Sequence, residues 1–130
     1  MAYSVEQLDS EPIIIVSLGE QTQSVDETTQ TYQEVAALLD ALSDKAFLIT
    51  DYTKSDLTFS EMALSLRTAT QGEAGSPTDP RILQNLLIGT DELVEMASQS
   101  LMQTQYGKVK TLVFANREDA LTYARALLSS

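Results

Sequence analysis

The segment IIIVSL, residues 13–18, constrains the fold of this chain more than any other stretch. Its first four residues are apolar and β-branched at consecutive positions, whereas a strand with one solvent-exposed face alternates apolar and polar residues,. The segment therefore predicts a central strand that is covered on both faces. The segments KAFLITDY at 45–52 and RILQNLLIGT at 81–90 predict two further strands of the same kind.

Segments with helical spacing separate these strands. Apolar residues recur three and four positions apart in four stretches, at 24–42, 58–70, 91–106 and 117–128,. A weakly alternating stretch at 3–10 predicts an edge strand, and KTLVFA at 110–115 predicts the last strand,. In the last helix we expect five residues to face the core: Ala120, Leu121, Ala124, Leu127 and Leu128.

The order of these segments predicts one α/β domain over residues 1–130. Strands that alternate with helices need crossover connections, which favour parallel pairing. We therefore expect a sheet of four to five strands, mostly parallel, with an antiparallel N-terminal edge strand and four helices.

Composition excludes several classes of function. The chain has no cysteine and no histidine, so thiolate zinc sites, disulfides and Ser-His-Asp or Cys-His catalysis are impossible,. Its formal charge of −11, from 19 acidic and 8 basic residues, opposes binding to nucleic acid and to anionic membranes,. No apolar run reaches the ~18 residues of a membrane span, and the N-terminus does not resemble a signal peptide, so we expect a cytoplasmic protein.

The carboxyl ends of the predicted strands are candidate ligand positions, because sites on parallel sheets lie there. The candidates are Asp51, Tyr52, Thr53, Gly89, Thr90 and Asp91. Asp51 could be an aspartyl-phosphate acceptor, a metal ligand together with Glu20 and Asp91, or the first residue of an Asx turn. A phosphate acceptor would need a neighbouring acidic cluster and a lysine at the end of a later strand. The sequence provides neither and favours the turn, so we predict no metal and no cofactor.

The predicted helix at 91–106 carries an unusually uncharged run. Methionine, tyrosine and glutamine without charge are typical of interfaces, although methionine at helical spacing is also ordinary core. Five residues are interface candidates for a homodimer: Met96, Gln99, Met102, Gln103 and Tyr106.

Three segments give the chain a resemblance to a known family. An apolar strand leading to SLGE, the stretch FLITDYTKSDLTFSEMALSL and the C-terminal LVFANREDALTYARALL together resemble the STAS domain in its SpoIIAA-like branch. The resemblance implies a SpoIIAA-like fold and a regulatory or protein-interaction role without catalysis. Regulatory members carry a phosphorylated serine in an Asp-Ser pair followed by Gly-Leu-Gly, which this chain lacks. The nearest hydroxyls, Thr58 and Ser60, are phospho-acceptor candidates, and Thr58 as a simple helix N-cap is the alternative.

Three functional hypotheses follow. The first is a non-enzymatic interaction domain with an unknown protein partner. The second is a small-molecule or lipid-binding domain with a cleft beneath the loop at 70–80, and the third and weaker one is a carboxylate-dependent enzyme around Asp51. Arg117 and Asp119 are interpreted as a solvent-exposed, capped helix start without chemistry.

Overall fold

The computed structural model describes residues 3–8, 11–18, 25–42, 45–53, 79–90, 92–101 and 111–129. These residues form a five-stranded sheet in the order β1-β2-β3-β4-β5. The strands are β1 (Tyr3–Gln7), β2 (Ile13–Leu18), β3 (Ala46–Asp51), β4 (Ile82–Ile88) and β5 (Thr111–Phe114). β1 pairs antiparallel with β2, and every other neighbouring pair is parallel. The predicted α/β class, the mostly parallel sheet and the antiparallel N-terminal edge strand are confirmed.

Three helices belong to the described part of the chain. They are α1 (Val25–Ala41), α2 (Glu92–Leu101) and α3 (Arg117–Leu128). The helix predicted at 58–70 lies outside the described residues. Right-handed crossovers between strands that follow one another in order place their helices on one face of the sheet. α1 and α2 accordingly pack on one face, and α3, which follows the last strand, covers the other.

Two apolar clusters bury the central strands from both sides. Residues of β2, β3 and β4 alternate between the clusters, so Ile14, Leu48 and Leu87 face α1 and α2 while Ile15 and Ile49 face α3. All five are at most 2% exposed. Burial on both faces is what consecutive apolar residues in a strand predict, because no position faces water.

Small residues let α3 lie close to the sheet. Ala120 and Ala124 are one turn apart and fully buried. Asn116 caps the helix by accepting a hydrogen bond from the backbone N–H of Asp119 at 2.9 Å,. The prediction that Leu127 and Leu128 face the core was wrong, since they are 45% and 36% exposed. The closely packed stripe ends at Ala124, and the last turn of the helix leaves both leucines partly in solvent.

Gly89 permits close packing between the end of β4 and α2. A Cβ atom at this position would lie 2.7 Å from Cγ2 of Val94. Val94 is 2% exposed and β-branched, so its side chain has little freedom to rotate away,. A glycine is therefore needed here for space.

We expect Gly89→Ala to destabilise the protein by about 1–3 kcal/mol, the usual cost of overpacking a filled core. The free energy of unfolding in urea measures the effect.

Val94→Ala provides the matched background, because it removes the methyl group that the new side chain would strike. In that background Gly89→Ala should lower the free energy of unfolding by well under about 1 kcal/mol, because the alanine side chain then has no methyl group to strike. Equal losses in both backgrounds would show that the contact with Val94 is not the reason for glycine.

Candidate functional site

Asp51 ends β3 and begins an Asx turn. Its Oδ1 accepts a hydrogen bond of 2.9 Å from the backbone N–H of Thr53 and another of 2.6 Å from the Thr53 hydroxyl. Asp51 is therefore the first residue of an Asx turn, which is one of the three alternatives that the sequence offered for it. One carboxylate oxygen is fully engaged in ending the strand.

Arg117 occupies the other side of the Asp51 carboxylate. Its Nη2 lies 3.3 Å from Oδ2 of Asp51 and 2.9 Å from the Ser17 hydroxyl, and its Nη1 lies 3.5 Å from Oε1 of Glu6. Arg117 begins a capped helix and is 42% exposed, as interpreted from the sequence, and in addition it makes these three contacts. Its position at the end of a strand was visible in the sequence, but the sheet order that sets it against β1, β2 and β3 was not.

These contacts determine the electrostatics of the strand ends. Burial disfavours the charged Asp51 carboxylate, but the hydrogen bonds from Thr53 and Arg117 outweigh it, so the pKa of Asp51 lies below its ordinary value. The neighbouring Tyr52 packs against the core, and burial raises the pKa of its phenol to about 12. Near neutral pH the carboxylate is charged and paired, and the phenol is protonated.

A cleft of about 490 Å³ opens between α2 and the edge of the sheet formed by the ends of β4 and β5. Its lining residues are Gly89, Thr90, Glu95, Ser98, Gln99, Thr111, Leu112 and Val113. None of these eight residues is cationic, and Glu95 is the one acid among them. The lining that the described residues provide is therefore partly apolar and rich in hydroxyl and amide groups, with one carboxylate.

A buried amide lies next to this cleft. Asn85 of β4 is 1% exposed, and neither its Oδ1 nor its Nδ2 has a hydrogen-bond partner among the described residues. Thr111 is its register partner on β5, and both Thr111 and Ser98 of α2 are buried. Sequence reasoning missed these residues, although a Gln-Asn pair inside an otherwise apolar strand was the signal.

β5 is the edge strand of the described sheet and carries exposed apolar side chains on both faces. Leu112 is 38% exposed and pairs with Leu86, whose side chain faces α3. Val113 is 37% exposed and pairs with Leu87, whose side chain faces α1 and α2.

The candidate residues from sequence fall into four groups: the strand-end network, the lining of the cleft, the core, against which Tyr52 and Met96 pack, and residues outside the described part of the chain. Asp51 and Thr53 meet at the strand-end network, whereas Gly89, Thr90 and Gln99 line the cleft. Met96 is half-buried against the core, as the packing alternative expects. Six candidates lie outside the described residues: Thr58, Ser60, Asp91, Met102, Gln103 and Tyr106. The loop at 70–80, the expected roof of a ligand cleft, is described only at its last two residues.

The described residues offer neither a metal cluster nor a membrane-spanning helix. They contain no group of three or more acidic, histidine or cysteine side chains that could hold a metal ion. None of their helices is both long enough and apolar enough to cross a membrane.

Comparison with known proteins identifies the fold. No family model matches the chain. No curated protein matches it either. Among solved structures it is similar to an uncharacterised protein of the DUF3478 family, with a SpoIIAA-like fold, from Shewanella loihica PV-4. That likeness has a TM-score of 0.58 at 16% identity and covers 95% of this chain and 92% of the other. The chain therefore has a SpoIIAA-like fold, in agreement with the family resemblance of its sequence.

Proposed function

We propose that this chain is a non-enzymatic interaction domain that binds an extended segment of a basic protein partner along the edge of β5. The observation that carries the proposal is the exposure of Leu112 and Val113 on opposite faces of one edge strand. A partner strand added beside β5 would cover both side chains and extend the sheet, which is a common mode of peptide recognition.

The hydrogen-bond pattern of β5 supports this mode. The backbone N–H of Gly89 donates to the carbonyl of Phe114 at 2.9 Å, so Phe114 directs its backbone groups toward β4. Because backbone groups alternate along a strand, Val113 directs its N–H and carbonyl away from β4. An added strand would pair with these groups.

Charge supports a basic partner. The chain carries a formal charge of −11, and Glu95 stands on the wall of the cleft beside β5. Complementary charge accelerates association and excludes acidic competitors. A second copy of the chain would bring like charge to the same edge, which disfavours a homodimer there.

The strand-end network supports a function without catalysis at Asp51. A general base or acid needs a pKa near the working pH, and a nucleophile needs an unengaged atom. Asp51 instead has a lowered pKa, and both of its carboxylate oxygens accept hydrogen bonds. We therefore propose that Asp51 and Arg117 hold the strand ends together.

The ion pair gives a stability that depends on pH. A carboxyl whose folded pKa is lowered stabilises the fold above its unfolded pKa of about 4, and this contribution disappears as pH falls through the folded pKa. A double-mutant cycle of Asp51→Asn and Arg117→Met should give a coupling of about 0.5–1 kcal/mol at neutral pH, since Arg117 is partly exposed. The Asx turn is preserved because asparagine keeps the accepting oxygen.

Urea unfolding across the acid range measures this coupling. It should be constant from neutral pH to about 5 and decline as pH falls through the lowered folded pKa of Asp51,. A coupling that is lost between about pH 6 and 8 would indicate a raised carboxyl pKa of the kind found in active sites and would contradict a structural role.

The partner surface is tested by two substitutions of matched chemistry. Val113→Lys places a charge on the edge strand, whereas Leu127→Lys places one on an exposed leucine of α3. We expect Val113→Lys to reduce capture of a partner from native lysate at least tenfold, because lysine on an edge repels both an added strand and a basic segment. Leu127→Lys should retain it.

Val113→Pro separates backbone pairing from charge. Proline adds no charge, keeps an apolar side chain and removes the N–H that faces away from β4, a loss that edge strands tolerate. We expect clearly weaker capture with an unchanged free energy of unfolding. Undiminished capture of the partner by both Val113 variants would contradict the proposal. Sedimentation of the protein with lysate that showed only self-association of the chain would contradict it too.

A further inference from the structure

We propose that Asn85, Ser98 and Thr111 form a binding site for a small neutral molecule that carries an amide-like pair of hydrogen-bond donor and acceptor. The molecule would enter through the cleft between α2 and β5. This site does not depend on the protein partner proposed above, because it uses buried polar groups on one face of the sheet rather than the outer edge of β5.

The first observation is the amide of Asn85, which has no partner among the described residues. Leaving a buried donor or acceptor without a hydrogen bond carries a desolvation penalty, and Asn85 leaves one of each,. Buried polar side chains in folded proteins are nearly always bonded. A leucine would fill this position in β4 without that penalty, since Leu48, its register partner on β3, and Leu87, on the same face of β4, are apolar. A bound molecule that forms hydrogen bonds with the Asn85 amide would explain why asparagine stands at this position.

The second observation is where the amide lies. Thr111, directly beside Asn85 in the register, lines the cleft. Neighbouring parallel strands are about 4.8 Å apart, so the two side chains stand side by side on the face that α2 covers. Ser98 follows Val94 by one helical turn and lines the same cleft. Two hydroxyl-bearing residues therefore line the cleft on this face, and one of them, Thr111, is the register partner of Asn85.

The lining selects the chemistry of the molecule. An asparagine amide bonds bidentately to another amide, or to the amino group and ring nitrogen of an aminopurine. Val113, on the same face as Thr111, offers apolar contact for a flat ring, and the Glu95 carboxylate accepts hydrogen bonds from further N–H groups. Anions are disfavoured by Glu95 and by the charge of −11. The cleft volume of about 490 Å³ is within the usual range for small-molecule sites,.

Nicotinamide and nicotinate are a matched pair of probes. They have the same ring and nearly the same shape, but nicotinate is an anion and cannot donate. Adenine is a second probe with the required donor and acceptor. In ¹H–¹⁵N spectra of the full chain, we expect nicotinamide or adenine to shift the Asn85 side-chain amide resonances in a saturable way. Nicotinate should bind at least tenfold more weakly.

Two variants assign the effect to the site. Asn85→Leu should weaken probe binding at least tenfold, read from backbone amide shifts around the cleft, while the protein stays as stable or becomes more stable. If leucine at 85 disturbs the fold, Thr111→Val is the second variant, which should weaken binding and keep the fold. Thr122→Val, on the exposed face of α3 and outside the cleft, is the control with unchanged binding. Three outcomes would overturn the proposal: no saturable shift with either nicotinamide or adenine, equal binding of nicotinate, or unchanged binding by both Asn85→Leu and Thr111→Val.

Discussion

The burial of β2, β3 and β4 on both faces is the constraint on which the rest of the structure depends. Because Ile13 to Val16 are all at most 4% exposed, neither face of these strands has room for a charged side chain,. Among the described residues, the candidate functional groups therefore lie at three places: the ends of the strands, the edge of β5 and the cleft under α2. Each candidate function has to be built from those places.

At the strand ends the polar groups bond to one another. Hydrogen bonds join the ends of β2 and β3 to the start of α3 through Asp51, Thr53, Ser17 and Arg117. The lowered pKa of Asp51 follows from the bonds that Thr53 and Arg117 donate to its carboxylate. The β5 edge and the cleft differ in this respect. Apolar side chains there are partly exposed, and the amide of Asn85 is unpartnered within the described part of the chain. The β5 edge and the cleft, where side chains are partly exposed or lack hydrogen-bond partners, therefore support a binding function. The strand ends, where the polar groups pair with one another, do not support catalysis.

The sequence predicted the fold well because the fold depends on local patterns. Consecutive apolar residues indicate a strand buried on both faces, and helical spacing between such strands indicates crossovers. The cap at Asn116 and the Asx turn at Asp51 are also local, since both bonds span only two or three residues. These features need no knowledge of which strands are neighbours.

The site was less predictable because it depends on contacts between distant residues. Arg117 and Ser17 are 100 positions apart and meet only through the order of the sheet. Asn85 belongs to a segment whose apolar neighbours indicate a buried strand, and its missing partner appears only when the surrounding atoms are placed. Leu127 and Leu128 keep helical spacing, yet the contact between helix and sheet ends one turn earlier.

Amide hydrogen exchange of the free protein tests most directly whether the edge of β5 is available to a partner. The register directs the N–H of Phe114 toward β4 and that of Val113 away from it,. Phe114 should therefore exchange slowly, through opening of the sheet, whereas the unpaired N–H of Val113 should exchange directly, at a rate at least a hundredfold higher. Equal and strong protection of Val113 and Phe114 would show that the edge is already covered, and would contradict the binding of a partner strand along β5.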